Sequence, residues 1–243
     1  MESKCVSCPF NDVFWESAKN DTEKEKLVIR KYYYHQFNPS CLGSLNCKCT
    51  VGPNCVCNLL LSILSKFSCV EIIEILKQNF HPYVLEAKDI PQFSNFETCY
   101  YRVPHDLEAS GLESVSFDKM GFFLRDNGPR KEGADKKYGE NQAKTSAMLG
   151  LCTVSRKDGI RLSDFGHAFN KLTAEEKESL KGKLCLYIPM MQNFFLQGEN
   201  PETLHKDISI LSESTIKRRL PNVKYIVRVI FNTLNHELYG SQH

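Results

Sequence analysis

The chain has 243 residues, of which 42% are hydrophobic and 25% are charged, and its formal net charge at pH 7 is +2. This composition is typical of a globular protein, and no apolar run approaches the roughly 20 residues that a membrane-spanning helix needs, so we expect no membrane partner. The near-neutral charge does not by itself indicate a nucleic-acid partner, which would have to bind local basic patches.

The N-terminal stretch MESKCVSCPFNDVFWESAKND has no basic region followed by an apolar core. We therefore expect no secretory signal and a cytoplasmic location. Eleven cysteines occur in the chain. Because disulfides are rare in cytosolic proteins, we interpret these cysteines as reduced thiols or as metal ligands.

A cluster of cysteines lies in SCLGSLNCKCTVGPNCVCN, where two Cys-x-Cys pairs flank a turn-rich loop. Structural zinc needs four thiolates or imidazoles in a tetrahedral arrangement. The pairs Cys47 with Cys49 and Cys55 with Cys57 are therefore candidate zinc ligands. The usual zinc pattern pairs two Cys-x-x-Cys knuckles instead, so the alternative is a set of ordinary thiols, since cysteine packs well as a small core residue.

Residues 1–100 predict a cysteine-rich helical domain of unknown role. SAKNDTEKEKLVIRKYYYHQF starts as a charged helix and becomes apolar, and NLLLSILSKFSCVEIIEILKQNF has apolar residues at helical spacing, as one broken helix or two short ones. EAKDIPQFSNFETCYYRVPHDLEASG contains two prolines and several turn-forming residues, which predicts a linker with one short strand. A domain boundary is expected near residue 100.

Residues 101–198 predict helices around one hairpin. SVSFDKMGFFLRD is a short apolar element, NGPRKEGADKKYGE an exposed loop and GENQAKTSAMLG a helix. LCTVSR and GIRLS alternate as strands around an Asp-Gly turn, a strong hairpin signal. Ser163 predicts a cap for the following helix, Thr173 with Glu176 predicts a capping box for the next, and Pro189 would start or kink a further helix.

A helix followed by a two-stranded hairpin and another helix is the order at the end of a winged-helix unit. A helix fits the DNA major groove, where polar side chains reach base edges or phosphates, and a basic hairpin tip can lie along the phosphate backbone. The alternative is an ordinary hairpin with a solvated tip. The candidate DNA contacts are Asn141, Gln142, Lys144 and Thr145 on the helix and Arg156, Lys157 and Arg161 on the hairpin.

Residues 199–243 predict a helix-turn-helix segment. In LSESTIKRR, a helix N-terminus favours a phosphate, and arginine suits bidentate contact with guanine or phosphate. Pro221 predicts that this helix ends and that a second helix starts near Asn222, because proline removes a helical hydrogen bond. The alternative is a solvated basic helix face. The candidate DNA contacts here are Ser214, Thr215, Lys217, Arg218 and Arg219.

MGFFLRDNGPRKEGADKKYGENQAKTSAMLGL, IRLSDFGHAF and STIKRRLPNVKYIVRVI together resemble the winged-helix DNA-recognition region of bacterial restriction endonucleases and related defence proteins. The resemblance covers roughly residues 102–236. It implies tandem winged-helix folds and binding to double-stranded DNA. It leaves the N-terminal hundred residues unexplained.

The fold predicted for the whole chain is mainly α with small β-wings, with a tandem winged-helix or helix-turn-helix C-terminal half and a helical N-terminal half. The predicted role is DNA binding without catalysis, as the recognition component of a restriction or defence system or as a stand-alone regulator. One alternative is a small metal-dependent nuclease, for which Glu86, Lys88 and Asp89 would lie on a strand. Another is a winged-helix module that binds a partner subunit.

Overall fold

The computed structural model describes residues 21–35, 56–125 and 133–239. These residues are mainly helical and carry a two-stranded antiparallel sheet, which confirms the predicted class of a mainly α protein with a small β element. No helix in these three ranges is long and apolar enough to cross a bilayer.

The described residues of the N-terminal part form three helices: α1 (Asp21–Tyr33), α2 (Val56–Lys66) and α3 (Cys69–Lys77). Between α2 and α3, the Ser68 Oγ accepts a hydrogen bond from the Glu71 amide at 3.1 Å, and the Glu71 carboxylate accepts one from the Ser68 amide at 2.7 Å. This capping box starts α3. It explains why the predicted apolar stretch forms two short helices.

The segment predicted as a linker with one strand is instead largely helical. It contains a 3₁₀ turn (Ala87–Asp89), a π-helical turn (Thr98–Arg102) and the helix α4 (Val103–Ala109). The strand prediction was wrong, since the chain is helical without a break from Thr98 to Ala109 and Pro104 follows directly on the π-helical turn.

The next elements are α5 (Phe117–Leu124), α6 (Ala134–Met148), β1 (Cys152–Ser155) and β2 (Gly159–Leu162). The predicted hairpin is confirmed, with Ser155 opposite Gly159 at the turn. An additional antiparallel bridge joins Val115, just before α5, to Ile160 of β2. Residues 134–138 were predicted as part of a loop but belong to α6.

Gly139, where the predicted loop and the predicted helix overlap, lies inside α6 and permits close helix packing. A Cβ atom at Gly139 would lie 2.2 Å from the Phe117 carbonyl oxygen and 2.6 Å from the Gly121 amide nitrogen. A Cβ at Gly121 would likewise lie 2.0 Å from the Asp135 carbonyl oxygen. Helices α5 and α6 therefore pack backbone against backbone.

Five helices complete the chain: α7 (Asp164–Asn170), α8 (Ala174–Leu186), α9 (Pro189–Leu196), α10 (Pro201–Ile208) and α11 (Glu213–Tyr239). The predicted caps are confirmed. The Gly166 amide donates to Ser163 Oγ at 2.8 Å, and Thr173 forms a capping box with Glu176. Pro189 is the first residue of α9.

Helix α11 is continuous through Pro221, so the prediction of two helices that meet near Asn222 was wrong. An interior proline costs about 3 kcal/mol, because the carbonyl four residues earlier loses its partner. Apolar residues on both sides of the proline are packed in the core, including Ile216, Leu220 and Val223. Burial of this continuous apolar face offsets the cost of the proline.

Two apolar clusters hold these elements together. The larger cluster joins α1, α2 and α3 to α7, α8, α9 and α11, so it crosses the predicted domain boundaries at residues 100 and 198. The smaller cluster lies between α4, α5, α6 and the hairpin, and its fully buried members include Val103, Met120 and Ile160.

Buried thiols make the stability of this fold depend on pH. Burial raises the pKa of Cys69 and of Cys152 to about 12, against about 8.5 for an exposed thiol. The folded state thus holds these protons more tightly than the unfolded state. Their stabilising contribution is complete below about pH 8.5 and is lost as the pH rises toward 12.

Above pH 9 we expect the free energy of unfolding to fall less steeply with pH in Cys152→Ala than in the wild type. The two slopes should differ by about 1.4 kcal/mol per pH unit, the value for one proton. Urea unfolding at pH 8, 9 and 10 measures it. Val154→Ala on the same strand is the control, because it removes no titrating group. If Cys152→Ala and the wild type give parallel pH curves, the interpretation of this thiol is incorrect.

The close helix contact generates a second prediction. Gly139→Ala should lower the free energy of unfolding by about 1 to 3 kcal/mol, the usual cost of overpacking, although alanine alone favours a helix by about 1 kcal/mol. Thermal unfolding measures the change. Lys136→Ala, on the exposed side of α6, should change stability by less than about 0.5 kcal/mol. Stabilisation by Gly139→Ala would contradict the packing described here.

Candidate nucleic-acid interface

Helix α6 has two covered faces and one open face. Ala143 faces the smaller apolar cluster, and Gln142 and Thr145 face the segment that precedes α4. The open face carries Lys136, Lys137, Glu140, Asn141 and Lys144, which are exposed or half-buried.

Gln142 and Thr145 are fully buried. The Gln142 amide nitrogen donates to the Asn95 carbonyl at 3.1 Å, and its amide oxygen accepts from the Ser94 amide at 3.2 Å. The Thr145 hydroxyl donates to the Gln92 carbonyl at 3.0 Å. Because their polar atoms already satisfy backbone groups, we remove Gln142 and Thr145 from the candidate DNA contacts.

The open face of α6 is partly neutralised within the helix. Glu140 accepts from Lys144 at 2.5 Å and from Lys137 at 3.1 Å, and the hydrogen bond from Lys144 is the main cause that lowers the Glu140 pKa. Asn141 and Lys136 lie beside this trio. In the described part of the chain, no carboxylate pairs with Lys136.

The hairpin tip presents two exposed cations, Arg156 and Lys157. The Ser155 hydroxyl accepts from the amides of Lys157 (3.1 Å) and Asp158 (3.2 Å), and Gly159 has a φ of +78°. These features hold the turn in one conformation. Neither Arg156 nor Lys157 forms an ion pair with any residue that the structure describes.

Arg161, on β2, has an acidic partner. Its guanidinium lies 3.2 Å from the Glu113 carboxylate, and both side chains are exposed. Exposed pairs of this kind contribute about 0 to 1 kcal/mol. Arg161 can therefore exchange this carboxylate for a phosphate at small cost.

The start of α11 presents a second group of predicted contacts. Ser214 is exposed and Thr215 is half-buried, and the hydroxyls of both lie within 3.4 Å of the Ser212 hydroxyl. Lys217 and Arg218 are exposed. Neither of these two cations has a carboxylate partner in the ranges that the structure covers.

Arg219 does not belong to this exposed group. Its guanidinium donates to the carbonyls of Ala87 at 2.6 Å and Ile90 at 2.8 Å, and desolvation by burial lowers its pKa. Asn222, one turn later, donates to the Phe93 carbonyl at 2.7 Å. Since these bonds hold Arg219 against the backbone, we also remove it from the candidate DNA contacts.

Residues 87–95, which we call the clamped segment, thus lie between α6 and α11. Thr145 and Gln142 bind it from one side, and Arg219 and Asn222 bind it from the other. Each pair is three residues apart, so both of its members point to the same side of their helix. The three-residue spacing, which puts both members of a pair on one side of the helix, can be read from the sequence. The sequence does not show which segment each pair faces.

The residues considered for a nuclease site do not lie on a strand. Glu86 caps the 3₁₀ turn that contains Lys88 and Asp89; Lys88 pairs with Glu86 at 2.9 Å and Asp89 accepts from the Glu86 amide at 2.8 Å. Among the described residues, no group of three or more His, Cys, Asp and Glu side chains is placed to hold a metal ion.

The predicted zinc ligands fall mostly outside the residues that the structure describes. Cys47, Cys49 and Cys55 belong to that undescribed part. Cys57 lies on α2 and is fully buried in the larger apolar cluster. Zinc binding stays a prediction.

Comparisons of the chain with protein-family models, with curated proteins and with solved structures found no match.

The clamped segment generates a prediction that separates structural from binding residues. Arg219→Ala should lower the free energy of unfolding by about 1.5 to 3 kcal/mol, because it removes charged hydrogen bonds and leaves two carbonyls without their donor. Arg218→Ala, its exposed neighbour, should change stability by less than about 0.5 kcal/mol. Urea unfolding of both variants measures the difference. Equal effects would mean that Arg219 does not hold the segment.

Proposed function

We propose that this chain is a double-stranded DNA-binding protein that uses the helices and hairpin between Val103 and Leu162 as a winged-helix unit. The observation that carries the proposal is the order of elements, in which α4, the bridge at Val115, α5 and α6 precede the β1–β2 hairpin. In a winged helix this order places the third helix in the major groove and the hairpin beside the backbone.

The separate core of this unit supports the proposal. Apolar residues of α4, α5, α6 and the two strands pack together in the smaller cluster. The bridge from Val115 to Ile160 adds a third strand position to the hairpin. A compact unit of this kind holds its third helix and its hairpin in a fixed relation, as recognition of a duplex requires.

We assign different contacts to different parts of the surface. Arg156 and Lys157 contact phosphates, since they are exposed and have no ion pair in the described structure, and phosphate contacts fix the register of a protein on DNA. On α6, Asn141 is the candidate for a base edge, because its amide can pair with adenine. Lys144 and Arg161 also contact phosphates, which replace the carboxylates with which these two side chains pair.

The start of α11 supplies a second contact in the proposal, as the predicted helix-turn-helix segment. Lys217 and Arg218 are exposed there, and Ser214 and Thr215 lie in the first turn of the helix. The N-terminus of a helix favours a phosphate. Two biological settings suit such a protein: the recognition component of a restriction or defence system, and a stand-alone regulator.

One observation favours a different function, a module that docks on a partner subunit. Glu140 holds two of the lysines of α6, and Gln142 and Thr145 point inward. Asn141 is then the residue on the open face of α6 that remains a candidate for contact with a base edge. A protein-docking module predicts no salt-dependent affinity for DNA at all.

Fluorescence anisotropy with mixed-sequence duplex DNA, titrated at several salt concentrations, tests the proposal. We expect the wild type to bind and log affinity to fall linearly with log salt. Arg156→Ala with Lys157→Ala should reduce the magnitude of that slope by about 2 and weaken binding by roughly 10- to 100-fold near 0.1 M salt.

The matched control removes two exposed lysines elsewhere, Lys171→Ala with Lys206→Ala. It changes the net charge equally and should leave the slope within about 0.5 of the wild type. Absence of wild-type binding at low salt would exclude the DNA-binding proposal and favour the docking module. An equal effect of both double variants would exclude a specific role for the hairpin tip.

A further inference from the structure

The outer face of α11 is basic over a longer stretch than the predicted DNA contacts cover. From Ser214 to His236 the sequence contains five lysines and arginines and no aspartate or glutamate. One of the five, Arg219, is held by the clamped segment. Two of the other four, Lys224 and Arg228, lie beyond residues 214–219, to which the predicted DNA contacts of this helix were confined.

Three of these cations share one side of the helix. Lys217, Lys224 and Arg228 are separated by seven and four residues, which aligns them along the axis. Over eleven residues the row spans about 16 Å. All three are exposed, and we call them the outer stripe.

The outer stripe has no acidic partners within the ranges that the structure describes. Some other lysines of the described residues do pair: Lys66, Lys77 and Lys137 lie 2.5, 2.8 and 3.1 Å from a carboxylate. A surface with interspersed charges usually pairs its lysines in this way. A row of cations along one helix with no carboxylate beside it instead favours an extended anionic ligand.

The helix that carries the stripe is fixed along its whole length. Its opposite face is buried in the larger cluster through Val223, Ile226 and Ile230. Near its C-terminus, Glu237 accepts a hydrogen bond from the Cys69 amide at 2.7 Å. The stripe is thus preorganised. Since the apolar face of α11 is already covered, the helix cannot insert that face into a bilayer as membrane-surface helices do.

We propose that the outer stripe binds the phosphate backbone of double-stranded DNA without regard to base sequence, so that α11 follows a strand instead of inserting its N-terminus into a groove. The proposal rests on the proposed DNA-binding function and changes the role of α11 within it. Phosphates follow one another at about 3.4 Å per strand along the axis, so 16 Å covers about five.

The residues between the cations support backbone contact over base reading. The fourth position of the row, between Lys217 and Lys224, is Pro221, which is exposed and carries no polar group. Asn222 is turned away toward the Phe93 carbonyl. The row from Lys217 to Arg228 therefore carries no amide side chain that could pair with a base edge.

The experiment uses the full chain with Lys224→Ala and Arg228→Ala together, two positions that were not among the DNA contacts predicted for this helix. In anisotropy titrations the salt slope should fall in magnitude by about 2. The loss should be the same for two duplexes of unrelated sequence. Lys171→Ala with Lys206→Ala is the charge-matched control and should leave the slope unchanged. Thermal unfolding verifies that both double variants are folded.

A second measurement needs no variant. Acetylation of lysines in the wild type, read by mass spectrometry with and without duplex DNA, should show protection of Lys217 and Lys224 and none of Lys206. The outer-stripe proposal is overturned if wild-type protein binds DNA while the slope of the double variant is unchanged and Lys224 stays unprotected. It is also overturned if phosphatidylserine vesicles protect Lys224 better than DNA does.

These outcomes separate the two proposals. Wild-type binding that is lost with the hairpin variant but kept with the α11 variant retains the DNA-binding function and excludes the stripe. A wild type that binds no duplex at any salt excludes both.

Discussion

The arrangement of the candidate surface depends on one constraint, which is that the backbone carbonyl groups of the clamped segment need hydrogen-bond donors. A segment that runs between two helices must satisfy its backbone polar groups, because an unpaired buried carbonyl costs free energy comparable to a lost hydrogen bond. Residues 87–95 form few backbone hydrogen bonds of a regular element. Side chains of α6 and α11 supply donors instead, with Thr145 on one side and Arg219 on the other. The same bonds join the unit around the hairpin to the long C-terminal helix.

The parts of the fold that sequence alone predicted are those whose cause lies within a few residues. Ser163 caps α7 through an amide three residues away, and the Thr173–Glu176 box closes over the same distance. The hairpin follows from the turn at Asp158 and Gly159. Such signals act before any tertiary contact forms. Pro221 shows the limit, since its local preference to end a helix is outweighed by apolar packing on both sides of it.

The site was less predictable, because a polar side chain has the same letter whether it meets a ligand or the protein's own backbone. Arg219 and Lys217 are two residues apart in a basic run, yet Arg219 binds carbonyls 129 and 132 positions away while Lys217 is exposed. Gln142 and Thr145 were selected as polar helix residues and are the buried ones. Ala143, next to Gln142, is also fully buried. Because adjacent residues of a helix point about 100° apart, the apolar residues of α6 do not by themselves define its second covered face.

Charge pairing limits what the net charge of +2 means for nucleic-acid binding. Lysines of α6 share Glu140, and Arg161 reaches Glu113, which is 48 residues away in sequence; such long-range pairing is invisible in composition. The Debye length at physiological salt is about 8 Å, so a phosphate backbone responds to the charges within that distance and not to the total. On α11 the absence of carboxylates near the cations can be read from the sequence, since no aspartate or glutamate lies within residues 214–236. A nearly neutral protein can therefore present a local field strong enough to attract a polyanion, and that field is largest where cations outnumber carboxylates along a single rigid helix.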